Sequence, residues 1–513
     1  GVTDSLTTFN ATDNPLTCIE TLDPDYATAN WTYGNGNIDD GVTFSIICGS
    51  EDQDNWYVAT TGSDGGAGTQ ESPFATIQMG INVSNNGDTV HVAAGTYVEP
   101  NVPYYGNDYS AGPNLYEKDN IVIMGAGSGT TIIDMDDHYY GFCFSLNSNN
   151  NIVDGFTIKN SGYTLITAYN NSSGNTFQNC LFLTTGEEDY TYESYDEGEN
   201  FINCTFIGNG ENYTLYPYET HPVIINSIFH NYNGFISENY LDGVTISNSL
   251  LYEVGGVLPI GETLIFNNPL FCEPDSGNYY LAYNSPCAGT GLEGADMGAF
   301  GVGCGDIWLP PVIAAMEDTS MDEDSELSLE LFAESEQGYD IYFEAQSDTS
   351  SVYAYAEGDM LYIDLMTDWN GSSEITVLAY CEFDYDINDT ASFTLTVNPV
   401  DDLPFVDGHI YPRDYPEDFG VDTVAYLPDV FTDIDGELTF SYSFTDSSVL
   451  VADVSSDYLV LSSLPDSSGE TELMVTATNP TRASVTDTVQ VSVWPVNDAP
   501  VVSIPDTSMN EDS

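Results

Sequence analysis

A repeat of about two dozen residues constrains the fold of this 513-residue chain more than any other feature. Six copies start at residues 153, 177, 201, 224, 246 and 266, so successive starts differ by 24, 24, 23, 22 and 20 residues. Each copy begins with an aromatic or β-branched residue and has an aromatic or aliphatic sixth residue, as in 177–182 and 201–206. This spacing predicts one solenoid coil per copy, with parallel strands stacked about 4.8 Å apart.

The third position of five consecutive copies is asparagine. Because equivalent residues of stacked coils form columns along the axis, we predict a structural ladder of side-chain amides that hydrogen-bond from coil to coil. Cys180 and Cys204 share another column, where we expect buried thiols rather than a disulfide. The ladder residues are Asn179, Asn203, Asn226, Asn248 and Asn268.

A short amphipathic segment precedes the repeats. Phe74, Ile77 and Ile81 have the i, i+3, i+7 spacing of a helix that buries one face, and a strand-like segment follows at 89–92. This part of the chain resembles the start of secreted right-handed parallel β-helix proteins of the pectate-lyase-like superfamily, in which a helix caps the coil. The resemblance implies a right-handed parallel β-helix over residues 55–305.

A second, longer period follows. Residues 311–325 and 500–513 have nearly the same sequence, and a looser copy starts at Pro404, so the starts lie 93 and 96 residues apart. This period fits sandwiches of roughly 100 residues, which we place at 309–400 and 402–498. Residues 500–513 would be the opening strand of a further module, or a strand donated to a neighbouring molecule.

Acidic residues lie near the ends of these modules. Glu417-Asp418, the turn at 433–436 and Asn497-Asp498 together resemble tandem cadherin-like or Ig-like modules of bacterial surface proteins, in which such acids bind calcium and stiffen the rod. The first module departs from the pattern because its Glu334-Ser-Glu336 lacks the glycine. The fold class predicted is therefore all-β, a parallel β-helix followed by tandem sandwiches. The predicted Ca²⁺ ligands are Glu417, Asp418, Asp433, Asp435, Asn497 and Asp498.

The chain has nine cysteines, an odd number. Residues 1–50 have the residue spacing of one leucine-rich repeat and resemble the C-terminal cap of bacterial surface leucine-rich repeats, which implies a bridge between Cys18 and Cys48. The alternative is a disulfide-closed loop packed on the next domain. A segment resembling the end of secreted β-helix domains contains Cys272, Cys287 and Cys304, and there we favour a Cys287–Cys304 bridge.

The chain has 82 acidic and four basic residues, for a formal net charge of −78. This charge excludes nucleic acids and anionic membrane surfaces as partners, and the sequence has no apolar stretch that predicts membrane insertion. Asp-Ser/Thr-aliphatic tripeptides resemble the O-glycosylation motif of Bacteroidota. Sequons outside the ladder predict N-linked glycans at Asn10, Asn30, Asn82, Asn170, Asn171, Asn212, Asn370 and Asn388.

The sequence offers few groups for catalysis. Lys118 and Lys159 are the only basic residues before Arg413, so a polyuronate would meet a strongly negative surface. The densest acidic cluster lies at 134–138, between Asp134 and His138, where a solvated turn is the simpler interpretation.

We therefore predict a non-enzymatic extracellular structural protein, a subunit of a surface fibre or adhesive stalk that assembles head-to-tail. One alternative is a polysaccharide-active lyase or hydrolase that uses the 134–138 cluster or the two lysines. Another is a monomeric, calcium-dependent adhesin that binds carbohydrate, with the tyrosines of 104–116 and 190–218 stacking on sugar rings.

Overall fold

The computed structural model describes residues 8–21, 23–49, 53–100, 102–103, 110–136, 138–184, 189–195, 197–218, 220–236, 243–500 and 502–503. The chain divides into two compact units, Gly1–Trp308 and Leu309–Ser513. The first unit contains a long parallel β-helix-like sheet and the second contains two sandwiches, so the predicted all-β fold class is confirmed. Among the described residues, no helix has the length and apolarity needed to cross a membrane.

The coils of the first unit contribute strands to three sheets, in which neighbours pair in parallel except for Val102–Pro103 and Ser110–Ala111, which are antiparallel. The first sheet contains Asn55–Val58, Thr89–Val92, Val122–Gly125, Ile152–Asp154, Thr176–Gln178, Asn200–Ile202 and Val223–Ile225. The second contains Gly95–Val98, Thr131–Asp134, Thr157–Lys159, Leu181–Leu183, Thr205–Ile207 and Ile228–Tyr232. The third contains Val102–Pro103, Ser110–Ala111, Asn114–Tyr116, Tyr140–Ser145, Thr164–Tyr169, Tyr190–Ser194, Tyr213–Pro217 and Gly234–Ile236. The long strand Thr245–Val254 joins the first two sheets, and Glu262–Ile265 pairs with it.

The core of the β-helix is built from columns of equivalent residues. Phe177 pairs with Phe201, which pairs with Ile224 in the next coil. The rings of Phe177 and Phe201 stack with centroids 5.7 Å apart, and those of Phe206 and Phe229 with centroids 4.4 Å apart. All five side chains are fully buried, so the sequence repeat corresponds to one coil.

The asparagine column has a backbone cause. Asn179, Asn203, Asn226 and Asn248 have φ values of 51°, 51°, 54° and 49°, and Gly155 occupies the same place one coil earlier with φ of 78°. This left-handed conformation turns the chain from the first sheet into the second, and it suits asparagine and glycine better than other residues.

The predicted amide ladder extends over only part of this column. Asn203 Nδ2 donates to Asn179 Oδ1 at 3.3 Å. Asn226 Oδ1 instead accepts a hydrogen bond from the backbone N–H of Leu292 at 2.6 Å. Asn268 lies beyond the stacked coils, and its Oδ1 caps the backbone N–H two residues later at 2.9 Å. The turn conformation therefore explains the repeated asparagine better than the ladder does.

A second amide ladder lies inside the coil, where the sequence analysis did not place one. Asn151 Nδ2 donates to Asn175 Oδ1 at 2.9 Å, and Asn151 Oδ1 accepts from the backbone N–H of Ile121 at 2.8 Å. Asn175 Nδ2 donates to the carbonyl of Ser148 at 3.0 Å. Both asparagines are fully buried, so they satisfy backbone groups that water cannot reach.

The predicted cap helix spans Ile77–Val83. The hydroxyl of Thr76 caps its start, and Glu99 accepts from the backbone N–H groups of Ile77 and Gln78 at 2.8 and 2.9 Å. Burial raises the pKa of Glu99 to about 7. At the other end, Lys118 Nζ donates to the carbonyl of Ser84 at 2.6 Å. Both charged residues thus satisfy backbone groups at the helix ends.

The closing segment of the first unit runs across several coils. It contains the strands Phe271–Glu273, Asn278–Ala282 and Val302–Cys304 and the short 3₁₀ helices Pro274–Ser276 and Leu292–Gly294. The backbone N–H of Ala299 donates to Thr205 Oγ1 at 2.9 Å, and its carbonyl accepts from Ser128 Oγ at 3.5 Å. Together with the contact to Asn226, these bonds fasten the segment along the outside of the coil stack.

One predicted disulfide is replaced by another. Cys304 bonds to Cys272, and Cys287 is a free thiol. Cys272 and Cys304 lie on either side of the strand Asn278–Ala282, whereas Cys287 is fully buried in the apolar cluster beneath the closing segment. Cys180 and Cys204 are free and buried, as predicted.

The N-terminal segment is closed by the expected cysteines. Cys18 bonds to Cys48, and the strand Cys18–Glu20 pairs in parallel with Thr43–Ser45. The helix Pro24–Asn30 lies between them, and the ring of Phe9 stacks on Trp31 with centroids 4.5 Å apart. The similarity to a leucine-rich-repeat cap remains a prediction.

The two sandwiches of the second unit have the same topology. In the first, one sheet is ordered Thr319–Asp322, Asn388–Asn398, Gly371–Cys381, Ile341–Ser347, and the other Leu327–Glu330, Met360–Leu365, Val352–Glu357. In the second sandwich, the four-stranded sheet is ordered Arg413–Pro416, Ser484–Trp494, Gly469–Thr478, Thr439–Phe444. Its three-stranded sheet is ordered Val421–Tyr426, Tyr458–Ser463, Leu450–Ser455. Short pairs complete them: Val312–Ile313 with Ala333–Glu334, and Phe405–Val406 with Phe431–Thr432, beside the 3₁₀ turn Leu427–Asp429. Each sandwich has its own apolar core.

The positive φ values of the asparagine column give a first test of its role in the turn. Replacing Asn203 by valine places a β-branched residue at positive φ and should lower the free energy of unfolding by about 1–3 kcal/mol. Asn203→Gly keeps the turn and is the matched control, expected to change stability much less. Calorimetric unfolding of the full chain would measure both variants, and equal destabilisation would contradict the assigned role of the turn.

Candidate functional site

Two clusters of three aspartates lie at equivalent ends of the two sandwiches. In the first, ligand oxygens of Asp324, Asp368 and Asp402 lie within 4.8 Å of one another. In the second, oxygens of Asp418, Asp466 and Asp498 do the same. Carboxylate oxygens at this separation are the ligands that Ca²⁺ prefers, since it takes six to eight oxygens.

Two turns form each cluster in the same way. Asp324 and Asp368 have φ values of 58° and 55°, and Asp418 and Asp466 have values of 60° and 50°. Aspartate tolerates this left-handed conformation better than most residues. The backbone N–H of the second aspartate in each pair donates to an oxygen of the first, at 3.5 Å in the first sandwich and 3.4 Å in the second.

The third aspartate comes from the segment that leaves each sandwich, and a glutamate holds that segment. Glu323 Oε1 accepts from the backbone N–H of Val400 at 2.6 Å, and Glu417 Oε1 accepts from that of Val496 at 2.5 Å. Glu323 is only 3% exposed. The acidic Glu-Asp pair at the start of each sandwich therefore supplies one clamp for the linker and one potential metal ligand.

The first cluster continues into the second sandwich. The backbone N–H of Asp402 donates to Asp435 Oδ2 at 2.5 Å, and the N–H of Asp435 donates to Asp433 Oδ1 at 3.0 Å. On the same side, Asn479 Nδ2 donates to both carboxylate oxygens of Asp401 at 3.3 Å. The linker thus brings carboxylates of both sandwiches to one place.

The electrostatics of this junction suit a divalent cation. Desolvation and the neighbouring carboxylates, led by Asp368 and Asp435, raise the pKa of Asp402. Asp402 Oδ2 and Asp433 Oδ2 are buried oxygens without a hydrogen-bond partner in the described part of the chain. Buried, unpaired carboxylate oxygens are costly unless a proton or cation compensates them, so the donor set fits Ca²⁺.

The structure divides the six predicted calcium ligands between two places. Asp418 and Asp498 belong to the second cluster, with Glu417 holding the linker beside them and Asn497 next in the chain. Asp433 and Asp435 lie at the opposite end of the second sandwich, separated from them by the length of the strand Ser484–Trp494, roughly 30 Å. The six predicted ligands therefore do not lie together in one cluster, and their role as calcium ligands stays a prediction.

The sequence analysis did not include Asp324, Asp368, Asp402 and Asp466 among its candidate ligands. A signal was available for two of them, because Asp368 and Asp466 each begin an Asp-x-x-Gly sequence ahead of a long strand. The first sandwich departs from the predicted pattern at Glu334–Glu336, but it too has an aspartate cluster, which does not use that segment.

The groups considered for catalysis have structural contacts. Lys159 Nζ lies 3.1 Å from Asp134 Oδ2. Burial opposes ionisation of Asp134, but hydrogen bonds from Asn160 and Lys159 outweigh it and lower the pKa of this carboxyl. Asp136 lies in a turn with φ of 45°, and Asp137 is outside the described residues. Lys118 caps the helix as described above.

The predicted glycan acceptors differ in exposure. Asn10, Asn30, Asn82, Asn170, Asn171 and Asn370 are exposed and Asn388 is half-buried, whereas Asn212 is only 4% exposed. Asn212 therefore offers little room for a glycan. Most of the terminal segment 500–513 lies outside the described residues.

No model of a known protein family matches the chain, and no curated protein sequence is similar to it. The solved structures similar to it include cadherin ectodomains. The Drosophila N-cadherin EC1-4 structure has a TM-score of 0.26 and 13% identity, covering 38% of this chain and 51% of that one. Human desmocollin-1 ectodomain has a TM-score of 0.25 and 11% identity, covering 37% and 41%. For mouse cadherin-23 EC22-24 the values are 0.27, 14%, 38% and 68%. This chain thus spans about half or less of the first two.

The raised pKa of Asp402 predicts a pH dependence. Because the folded state holds this proton more tightly than the unfolded chain, stability is greatest at low pH and falls as pH rises through the raised pKa. In a chelator, the sandwiches should therefore melt at a higher temperature below the ordinary carboxyl pKa of about 4 than above the raised pKa of Asp402. Asp402→Asn should reduce this difference, and Asp364→Asn, which removes an exposed strand carboxylate, should not. Melting curves of both variants test this, and an unchanged difference in Asp402→Asn would refute it.

Proposed function

We propose that this protein is an extracellular structural or adhesive protein without catalytic activity, in which calcium bound at the ends of the sandwiches stiffens the second unit. The observation that carries the proposal is the recurrence of one three-aspartate cluster at the same end of both sandwiches. An acidic turn that arose by chance would not be expected to recur with the same backbone conformation at both of its turns.

Calcium bound at the first cluster would link the first sandwich to the second. Asp324 and Asp368 belong to the first sandwich, Asp402 to the linker, and Asp433 and Asp435 to the second sandwich. A cation held by these groups would couple the two sandwiches through charges that repel each other without it. In the second cluster, Asp418 and Asp466 of the second sandwich and Asp498 of the segment after it correspond to Asp324, Asp368 and Asp402. A neighbouring module could add further ligands to this cluster.

An extracellular location is supported by the disulfides and by the charge. Cys18–Cys48 and Cys272–Cys304 are bonds that persist in oxidising compartments. The net charge of −78 would be partly neutralised by the millimolar divalent cations outside cells.

A non-enzymatic role is supported by what the basic residues do. Lys118 donates to backbone carbonyls at a helix end and Lys159 pairs with Asp134, so the two lysines of the β-helix already have structural tasks. For the alternative, a polysaccharide lyase or hydrolase, the measurement is glycan depolymerisation that disappears on Asp136→Asn.

Head-to-tail assembly into a fibre is the further part of this proposal. The segment 500–513 repeats the opening sequence of the first sandwich and would extend the edge of a module in a neighbouring molecule. Electron microscopy of the full chain and of a variant lacking this segment tests the idea, and identical fibres from both would refute strand donation.

Calcium binding gives the central test. Calcium at about 100 times its dissociation constant should stabilise the sandwiches by about 2.7 kcal/mol for each occupied site. Asp368→Asn should weaken binding at the first cluster and Asp466→Asn at the second, whereas Asp364→Asn should weaken neither. Calorimetric titration of the full chain measures this, and calcium binding unaffected by both cluster variants would contradict the proposed sites.

A further inference from the structure

The outer face of the three-stranded sheet in the first sandwich combines tyrosines with carboxylates. The edge strand Val352–Glu357 pairs antiparallel with Met360–Leu365, which pairs in turn with Leu327–Glu330. Alternate residues of the first two strands, such as Ala354 and Ile363, are buried in the core, so the residues between them point outward. The outward residues with a charge or an aromatic ring, which we call the aromatic-acidic face, are Glu330, Tyr353, Tyr355, Glu357, Tyr362 and Asp364.

Three tyrosine rings occupy the middle of this face. Tyr355 lies opposite Tyr362, and their rings stack with centroids 5.4 Å apart. The ring of Tyr355 also contacts that of Tyr353, with centroids 5.3 Å apart and planes inclined by 33°. Among the described residues, Tyr355 is the only aromatic residue whose ring contacts Tyr353, and Tyr353 is 66% exposed. Most of the Tyr353 side chain is therefore open to a partner.

Carboxylates lie at both ends of this face without a basic partner. Asp364 lies opposite Tyr353 at one end, and at the other end Glu330 and Glu357 lie on either side of Met360. All three acids are exposed, and none of them has an ion pair in the described part of the chain. Because Asp364 and Met360 are four residues apart on one strand, the two negative ends are separated by roughly 14 Å.

The second sandwich shows that the fold does not require this combination. Its strands Leu450–Ser455 and Tyr458–Ser463 pair in the same register as the two strands of the first sandwich. These two strands carry three tyrosines and two carboxylates on the outer side in the first sandwich, but one of each in the second. The outward residues of the second sandwich are Val451, Asp453, Ser455, Tyr458, Val460 and Ser462.

The chemistry of the aromatic-acidic face selects a cationic polypeptide. Lysine and arginine pair with carboxylates, their stems pack on apolar surface, and the arginine guanidinium also stacks on aromatic rings. A second copy of this chain is a poor partner, because it has 82 acidic and only four basic residues. A metal ion is also a poor fit, because these acids belong to neither of the carboxylate clusters whose oxygens converge within 4.8 Å in the described part of the chain.

We propose that the aromatic-acidic face binds an extended, basic segment of another protein, with two arginines or lysines four residues apart and an apolar residue midway between them. In an extended segment, residues i and i+4 point to the same side and lie roughly 14 Å apart, which matches the separation of the two negative ends. One cation would contact Asp364 and the open side of Tyr353, and the other would lie between Glu330 and Glu357. The apolar residue would pack over the half-buried tyrosines between them.

This inference rests on the adhesive part of the proposed function, for which it names the chemistry of the partner. It does not use the aspartate clusters, so binding is measured in a chelator. A chain that binds calcium but no basic peptide would leave the calcium sites standing and overturn only the inference about the aromatic-acidic face.

The test is a fluorescence anisotropy titration of the full chain at low salt. The probe is the end-blocked, labelled peptide Gly-Arg-Ser-Leu-Ser-Arg-Gly. Two other peptides are compared with it: Gly-Arg-Arg-Ser-Leu-Ser-Gly, which has the same composition but adjacent arginines, and Gly-Asp-Ser-Leu-Ser-Asp-Gly. We expect the probe to bind most tightly and its affinity to fall as salt is added. Tyr353→Ala and Glu357→Gln should each weaken it roughly two- to fivefold, as the loss of one exposed cation–π contact or ion pair predicts.

Matched variants separate this face from the general negative charge of the chain. Tyr458→Ala and Asp453→Asn change a tyrosine and a carboxylate on the corresponding face of the second sandwich and should leave binding unchanged. Tyr353→Phe keeps the ring and should bind as the unmodified chain does. Absence of binding, equal affinity for the two arginine peptides, or equal losses from variants of the two sandwiches would each overturn the proposal. Binding that requires calcium would overturn it as well.

Discussion

Backbone hydrogen bonding between strands carries most of this structure, because the chain has almost no positive charge with which to form ion pairs. Four basic residues face 82 acidic ones, and only one lysine–carboxylate pair is found among the described residues. The coils are held instead by parallel backbone ladders, by phenylalanine columns in the core and by uncharged side-chain amides and hydroxyls. These interactions do not depend on opposite charges, so they tolerate a net charge that would weaken a fold based on salt bridges.

The same scarcity of bases explains how the acidic residues are used. Carboxylates at important positions accept hydrogen bonds from backbone N–H groups or hydroxyls, as Glu99, Glu193 and Glu323 do. Where several carboxylates meet, as at Asp324, Asp368 and Asp402, no ion pair with a lysine or arginine is found among the described residues. In the proposed function, a bound calcium ion would supply the missing counter-charge and order the linker.

The sequence predicted the periodic parts of the fold well and the site poorly. The alignment of equivalent positions between coils could be predicted from the sequence, because buried columns such as that of Phe177 and Phe201 need the same residue type in successive coils. The asparagine column was predicted, but its amide ladder is seen only between Asn179 and Asn203, and the left-handed backbone shared by four of its residues could not be read from the sequence. The candidate calcium ligands could not be grouped from sequence because residues close in the chain lie at opposite ends of a sandwich. Asp433 is only 15 residues from Asp418, yet a strand length separates them.

The parallel pairing of the first main strand with the last in each sandwich has a mechanical consequence. Thr319–Asp322 lies beside Asn388–Asn398 through four residue pairs, and Arg413–Pro416 lies beside Ser484–Trp494 in the same way. Tension along the chain pulls two parallel neighbours in opposite directions along their length, so their hydrogen bonds are sheared together rather than opened one after another. Each sandwich is therefore arranged to resist stretching by a force applied to its two ends.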